Sequence, residues 1–138
     1  MSFADDLKAE FEADKPTRDV EIPLNGNLYT LRFERMDGTD WTLATDAAPA
    51  RPGVLLDMRY GYNLRALVPP VAEKTGKLVD GDNLVDVSED QWRAIFKGAG
   101  ATVSRIGDAI FALNEYDPAA EVEALKKVSA GGRKRNSV

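Results

Sequence analysis

Two periodicities alternate along this chain and divide it into elements. Phe3, Leu7 and Phe11 recur at i, i+4 and i+8 among alanines and acids, which predicts a short amphipathic helix over 3–12, its acids near the N-terminal end and Lys15-Pro16 beyond it. From Val20 to Arg35 the period becomes two. Val20, Ile22 and Leu24 alternate with Glu21 and Pro23, and Leu28 through Phe33 alternates again. Asn25-Gly26 lies between the runs, and because both residues tolerate positive φ it predicts a β-hairpin over 20–35. Pro23 has no amide donor, which places its strand on an edge or at a bulge.

The middle of the chain is less regular. Met36 through Asp40 reads as a turn, with Asp40 as the cap of a short helix beginning at Trp41. A Pro/Ala linker follows over 47–53, and 54–63 is apolar without a clean period, so no element is assigned there. Pro69-Pro70 interrupts Leu64 through Val68, which argues against a long helix in this region. Lys77-Leu78-Val79 and Leu84-Val85-Asp86-Val87 flank Asp80-Gly81-Asp82-Asn83 and predict a second, small hairpin.

The C-terminal third carries the clearest signals. Ser88 with Gln91 forms a capping-box pattern, followed by Trp92, Ile95, Phe96 and Ala99 at helical spacing, with Gly98 and Gly100 as breakers. Val103, Ile106, Ile110 and Leu113 continue as a second helix. Asp117-Pro118 opens a third, whose stripe is Val122, Leu125 and Val128. Helices are therefore expected over 89–98, 102–114 and 118–129, the last stopped by Ala130-Gly131-Gly132. The expected architecture is α+β: one domain over 1–130, an N-terminal β-hairpin with a C-terminal bundle of three short helices, and a disordered basic tail over 131–138. Trp92, Ile95, Phe96, Val103, Ile106, Ile110 and Leu113 are expected to be its most buried group.

Composition narrows the chemistry. The chain has 138 residues with neither Cys nor His, so disulfides, Cys-His and Ser-His-Asp sites and the commonest zinc ligands cannot be built. Its net charge is −5; without Arg133, Lys134 and Arg135 the first 130 residues carry −8, which repels nucleic-acid backbones. Nucleic-acid binding is not expected. The amino terminus lacks a basic region followed by an apolar run, so secretion is not expected, and no apolar stretch approaches the roughly 18–20 residues of a membrane span.

Fragments that suggest chemistry have simpler readings. Gly98-Ala99-Gly100 follows a predicted helix and has Val103 where a phosphate-cradling loop needs glycine. Asp80-Gly81-Asp82 lacks the later ligands of a calcium loop and reads as a turn. Asp5-Asp6 and Glu89-Asp90 are helix-start charges, Lys126-Lys127 a solvated helix face, and Tyr60-Gly61-Tyr62 core aromatics without the interleaved cations of a base-stacking platform. No catalytic, cofactor-binding or metal-ligating residue is assigned, and a non-enzymatic protein-binding factor is expected.

The order of features resembles a known family. An acidic N-terminal helix, a hairpin ending in Leu31-Arg32-Phe33, Asp37-Gly38 with Trp41, Tyr60-Gly61-Tyr62-Asn63, Val87-Ser88 with Gln91-Trp92, and Leu113-Asn114-Glu115 before Asp117-Pro118 together resemble the tail assembly chaperones of long-tailed phages of actinobacteria, over residues 15–130. The resemblance implies a chaperone that binds the tape measure protein in the host cell cytoplasm and is absent from the mature virion. It also implies a frameshifted longer form of the chain as a partner, and leaves a homo-oligomer open. The alternative is a structural tail or neck component that stays in the particle. On the chaperone reading Val122, Leu125 and Val128 are the candidate partner-binding residues, since they share one face of the last helix beyond the main core.

Overall fold

The computed structural model describes residues 2–136, with side chains through residue 129. Its elements in chain order are α1 (Phe3–Glu12), β1 (Thr17–Leu24), β2 (Asn27–Glu34), α2 (Gly38–Asp46), α3 (Leu55–Tyr60), α4 (Leu64–Thr75), β3 (Gly76–Asp80), β4 (Asn83–Val85), α5 (Glu89–Gly98), α6 (Gly100–Asn114) and α7 (Ala119–Asn136). The fold is α+β: a four-stranded antiparallel sheet in the order β1-β2-β3-β4, with α4 and α6 packed on one face.

The hairpin forms where the alternation placed it. Asn25 and Gly26 take φ of 51° and 77°, and Leu24 pairs with Asn27 across this two-residue turn. Pro23 lies on β1, an edge strand, where its missing donor costs least. Val20, Ile22, Leu31 and Phe33 face the helices. The opposite face carries Asp19 opposite Arg32, joined by two bonds of 2.7 and 3.1 Å. The second hairpin also forms, and β3 pairs antiparallel with β2, which makes the two hairpins one sheet.

Two local readings are corrected by the structure. Asp37, not Asp40, caps α2: its carboxylate accepts from the Thr39 amide at 2.8 Å, while Asp40 sits in the first turn and pairs with Lys74 at 3.4 Å. The region of Pro69-Pro70 is one twelve-residue helix, α4. It begins on Asn63, which accepts from the Ala66 amide at 3.2 Å. The prolines leave the carbonyls of Arg65 and Ala66 without their usual donors, but those two residues are exposed to water; Leu64, Leu67, Val68, Val71 and Ala72 fill the buried face. Burial of that stripe outweighs the local cost of the prolines.

Of the residues expected in the core, Trp92, Ile106, Ile110 and Leu113 are buried, and Ile95, Phe96 and Val103 pack against them half-exposed. The capping box at Ser88 is present: its hydroxyl accepts from the Gln91 amide at 3.2 Å, and its own amide donates to the Gln91 side-chain oxygen at 2.9 Å. Gly76 marks the tightest approach. A Cβ there would lie 2.7 Å from the Ala72 carbonyl oxygen and 2.7 Å from the Trp92 ring, so only glycine lets β3 pass under that indole.

The last helix continues past its expected stop. α7 runs through Gly131-Gly132 to Asn136, so six of the residues assigned to a disordered tail are helical, and the final two lie outside the described residues. Glycine costs about 1 kcal/mol against alanine in a helix but keeps its N–H, so a Gly pair weakens a helix without ending it.

Candidate functional site

Exposed large apolar residues lie on the body, among them Leu28, Leu43, Leu55 and Met58, and on both terminal helices, where they fall in stripes. α1 buries none of its residues: Phe3 is 82%, Leu7 46% and Phe11 74% exposed. On α7, Val122, Leu125 and Val128 are exposed at 44%, 61% and 72%. The three residues proposed from the sequence therefore lie outside the core. α1 carries a second such stripe that the sequence reading treated only as helix periodicity. Its signal was an amphipathic helix followed by Ala13 through Pro16, with no apolar linker to draw it onto the body.

Both arms start from one place. Arg35, just after β2, donates its amide to the Pro16 carbonyl at 3.0 Å and its Nε to the Leu113 carbonyl at 2.6 Å, and its guanidinium lies 4.5 Å over the Tyr116 ring. Pro16 is the last residue before β1, and Tyr116 lies two residues before the turn into α7. The Tyr116 hydroxyl donates to Glu121 on α7, which together with burial and the nearby charges of Glu121 and Glu10 pushes the phenol above its usual range against the opposing charge of Arg35. Asp117 caps α7, accepting from the Ala119 amide at 2.9 Å.

The α6 end is locked to the body through Asn114, Glu115 and Trp41. Asn114 accepts from the Met36 amide at 2.8 Å and donates to the Ile110 carbonyl at 2.8 Å, and Trp41 Nε1 donates to Glu115 at 2.8 Å. Trp41 meets Tyr62 edge to face, and Gly61, at φ 83°, ends α3 so that Tyr62 turns inward. Burial, with the nearby charges of Glu115 and Tyr60, holds the Tyr62 phenol far above its ordinary value. Of the motif residues, Leu31, Phe33, Trp41, Tyr62, Trp92 and Leu113 fill the core, and Asp37, Asn63 and Ser88 cap helices.

Two of the clefts in the body are roomy enough to consider, and neither assembles reactive groups. One, about 370 Å³, lies between the sheet and α5 and is lined by Leu24, Tyr29, Leu31, Leu78, Val85 and Ile95 among others. Its carboxylate and amide side chains are engaged, Asp86 with Lys77 and Gln91 with the Ser88 amide. The other, about 380 Å³, brings Arg18 and Arg105 beside Asp19, which is bound to Arg32, and Asp108, which accepts from the Tyr60 hydroxyl at 3.1 Å. Among the described residues no group of three or more Asp or Glu is placed to hold a metal ion, and no helix is long and apolar enough to cross a membrane.

The buried charge lies elsewhere. Asp57 is fully buried in α3 and accepts from the Arg51 amide at 2.8 Å, from Nε at 2.9 Å and from Nη2 at 3.0 Å. The Arg51 hydrogen bond, opposed by desolvation, holds its carboxyl below the usual range. Three donors leave the carboxylate no free role. It closes the loop before α3. Comparison of the chain with family models, curated proteins and solved structures gives no match.

Proposed function

We propose that this chain is a non-enzymatic tail assembly chaperone that binds the tape measure protein and keeps it soluble while the phage tail is built. The observation that carries the proposal is the face formed by Val122, Leu125 and Val128, which the chain's own body leaves uncovered. Contiguous exposed apolar residues on a soluble surface mark contacts with other proteins, and an apolar stripe at helical spacing suits a partner helix laid along it. A tape measure protein, long and helical, offers such faces before the tail tube encloses it.

The resemblance over residues 15–130 supports the same reading. The lack of Cys and His and the engagement of Asp57, Asp86 and Gln91 in structural bonds give no support to a catalytic alternative. The test is co-expression with the tape measure protein of the same phage. The partner should be soluble and co-purify with this chain, and be insoluble without it. A tape measure protein equally soluble alone would remove the proposal. Peptides of this chain in purified virions, at the stoichiometry of a tail component, would instead favour a structural tail or neck protein.

A further inference from the structure

β1 is an edge strand, and its outer backbone is unpaired among the described residues. The bond from the Arg35 amide to the Pro16 carbonyl fixes the parity of the ladder: even-numbered residues of β1 bond to β2, so Thr17, Asp19 and Glu21 turn their amides and carbonyls to the free edge. Pro23 occupies the next such position and has no donor, which ends the usable edge there. Against this edge lies the cleft of about 380 Å³ between Arg18, Asp19 and Val20 of β1 and Arg105, Asp108 and Ala109 of α6. Neither Arg18 nor Arg105 joins an ion pair among the described residues. Asp19 is held by Arg32 on the other face of the sheet, and Asp108 accepts from the Tyr60 hydroxyl, with the Arg59 guanidinium 5.7 Å from the Tyr60 ring. The charges around the cleft are therefore four arginines against two aspartates, on a body whose first 130 residues carry −8.

We propose that this edge and cleft together bind an extended segment of a partner protein. Its backbone adds to the sheet along Thr17, Asp19 and Glu21, and one of its carboxylates sits between the guanidiniums of Arg18 and Arg105. The helix-facing side of β1 carries Arg18, Val20 and Ile22 in turn, so an antiparallel segment that fits it has a carboxylate level with Arg18 and apolar side chains level with Val20 and Ile22. On the outer face Glu21, which joins no ion pair among the described residues, favours a lysine or arginine across it. Planar guanidiniums match a carboxylate with paired bonds, and a cleft concentrates their field. A second copy of β1 does not fit, because either two-fold register, centred on Asp19 or on Val20, sets acid against acid. Nor does nucleic acid, whose successive phosphates meet the acidic body.

The test uses the full chain with a synthetic strand, so its result stands apart from the chaperone reading. The probe is the end-blocked heptapeptide Thr-Val-Lys-Val-Thr-Glu-Thr, which places its Glu across Arg18 and its Lys across Glu21; the control peptide has Gln for Glu. Titration followed by arginine Nε and backbone amide resonances should give saturable shifts of Arg18 and Arg105, with slowed hydrogen exchange at the amides of Thr17, Asp19 and Glu21. The Gln peptide should bind at least about threefold more weakly. Arg18→Gln and Arg105→Gln should each weaken the Glu peptide by a similar factor, and together they should remove its preference over the Gln peptide. Both residues are exposed, so melting should not change. Arg93→Gln, which removes an equal charge from α5, should leave binding unchanged. The proposal is overturned by equal binding of the two peptides, by a preference that survives the double substitution, or by exchange unchanged at the β1 edge. Inorganic phosphate shifting both arginines at lower concentration than the peptide would also overturn it, in favour of a phosphate site.

Discussion

Arg35 donates its Nε to the carbonyl of Leu113 at 2.6 Å, across 78 residues of chain. That bond joins the end of β2 to the end of α6; the Arg35 guanidinium also stacks on Tyr116 before α7, and its backbone amide holds Pro16 after α1, so one residue meets the roots of both terminal helices.

Removing the Arg35 side chain should loosen the body and the root of α7, while the backbone bond to Pro16 remains. Arg35→Ala is expected to cost about 1–3 kcal/mol, the sum of a part-buried charged hydrogen bond and a cation–aromatic contact. Arg35→Lys keeps the charge but lacks the planar fork that reaches the carbonyl while stacking on the ring, so it should recover only a minor part. Urea unfolding midpoints measure both. Equal stability of all three proteins would show that Arg35 anchors nothing.

The Arg51–Asp57 pair sets a pH dependence. The carboxyl pKa is lowered in the folded chain from an ordinary value of 3.8, so its stabilisation is fully present above that value and is lost as pH falls through the depressed folded pKa. Asp57→Asn should therefore lower the melting temperature at neutral pH by several degrees and make the decline below about pH 4 shallower. Asp19 and Asp86, lowered in the same direction by hydrogen bonds to Arg32 and Lys77 but lying on the surface, should contribute little when changed to Asn. A melting profile for Asp57→Asn parallel to wild type throughout the acid range would contradict this assignment.

Gly76 gives a steric test of the core. A methyl group there meets backbone oxygen and two aromatic rings, at 2.7 to 2.8 Å, so Gly76→Ala should destabilise by about 1–3 kcal/mol or more. Gly107→Ala is the milder comparison, since its new methyl meets only Leu64 and Val68 side chains at 3.0 to 3.3 Å, which can shift by rotation. Calorimetric melting of both proteins checks the order. A Gly76→Ala protein as stable as wild type would mean that β3 does not pass beneath Trp92 as described.

Local signals made most of these elements legible. The Asn25-Gly26 turn, the Ser88 capping box and the stripe from Ile106 to Leu113 each depend on neighbours in sequence, and all lie where periodicity placed them. What was not legible depends on distant partners. The core role of α4 was hidden by Pro69-Pro70, because proline speaks of the local backbone while the burial of Leu67, Val68 and Val71 depends on α6 and the sheet. The pairing of β2 with β3 joins residues separated by the whole of α2, α3 and α4, and Asp57 looks like any surface acid until Arg51 is seen closing on it. The candidate site was half visible. Val122, Leu125 and Val128 were found as a stripe, but Phe3, Leu7 and Phe11 have the same spacing a core helix would have, and only their exposure separates the two.

The central claim is that the α7 stripe binds a partner and does not support the fold. Leu125 is 61% exposed, so Leu125→Asp should leave the melting temperature of the isolated chain within the effect of an ordinary surface substitution, about 0.5 kcal/mol. In a desolvated contact the same aspartate is an unpaired charge and should cost several kcal/mol of binding. The direct measurement is a pull-down of co-expressed tape measure protein by wild type and by Leu125→Asp, with a melting curve of each chain alone. The expected result is lost capture with unchanged melting; capture retained at wild-type level with unchanged melting would contradict the role given to α7.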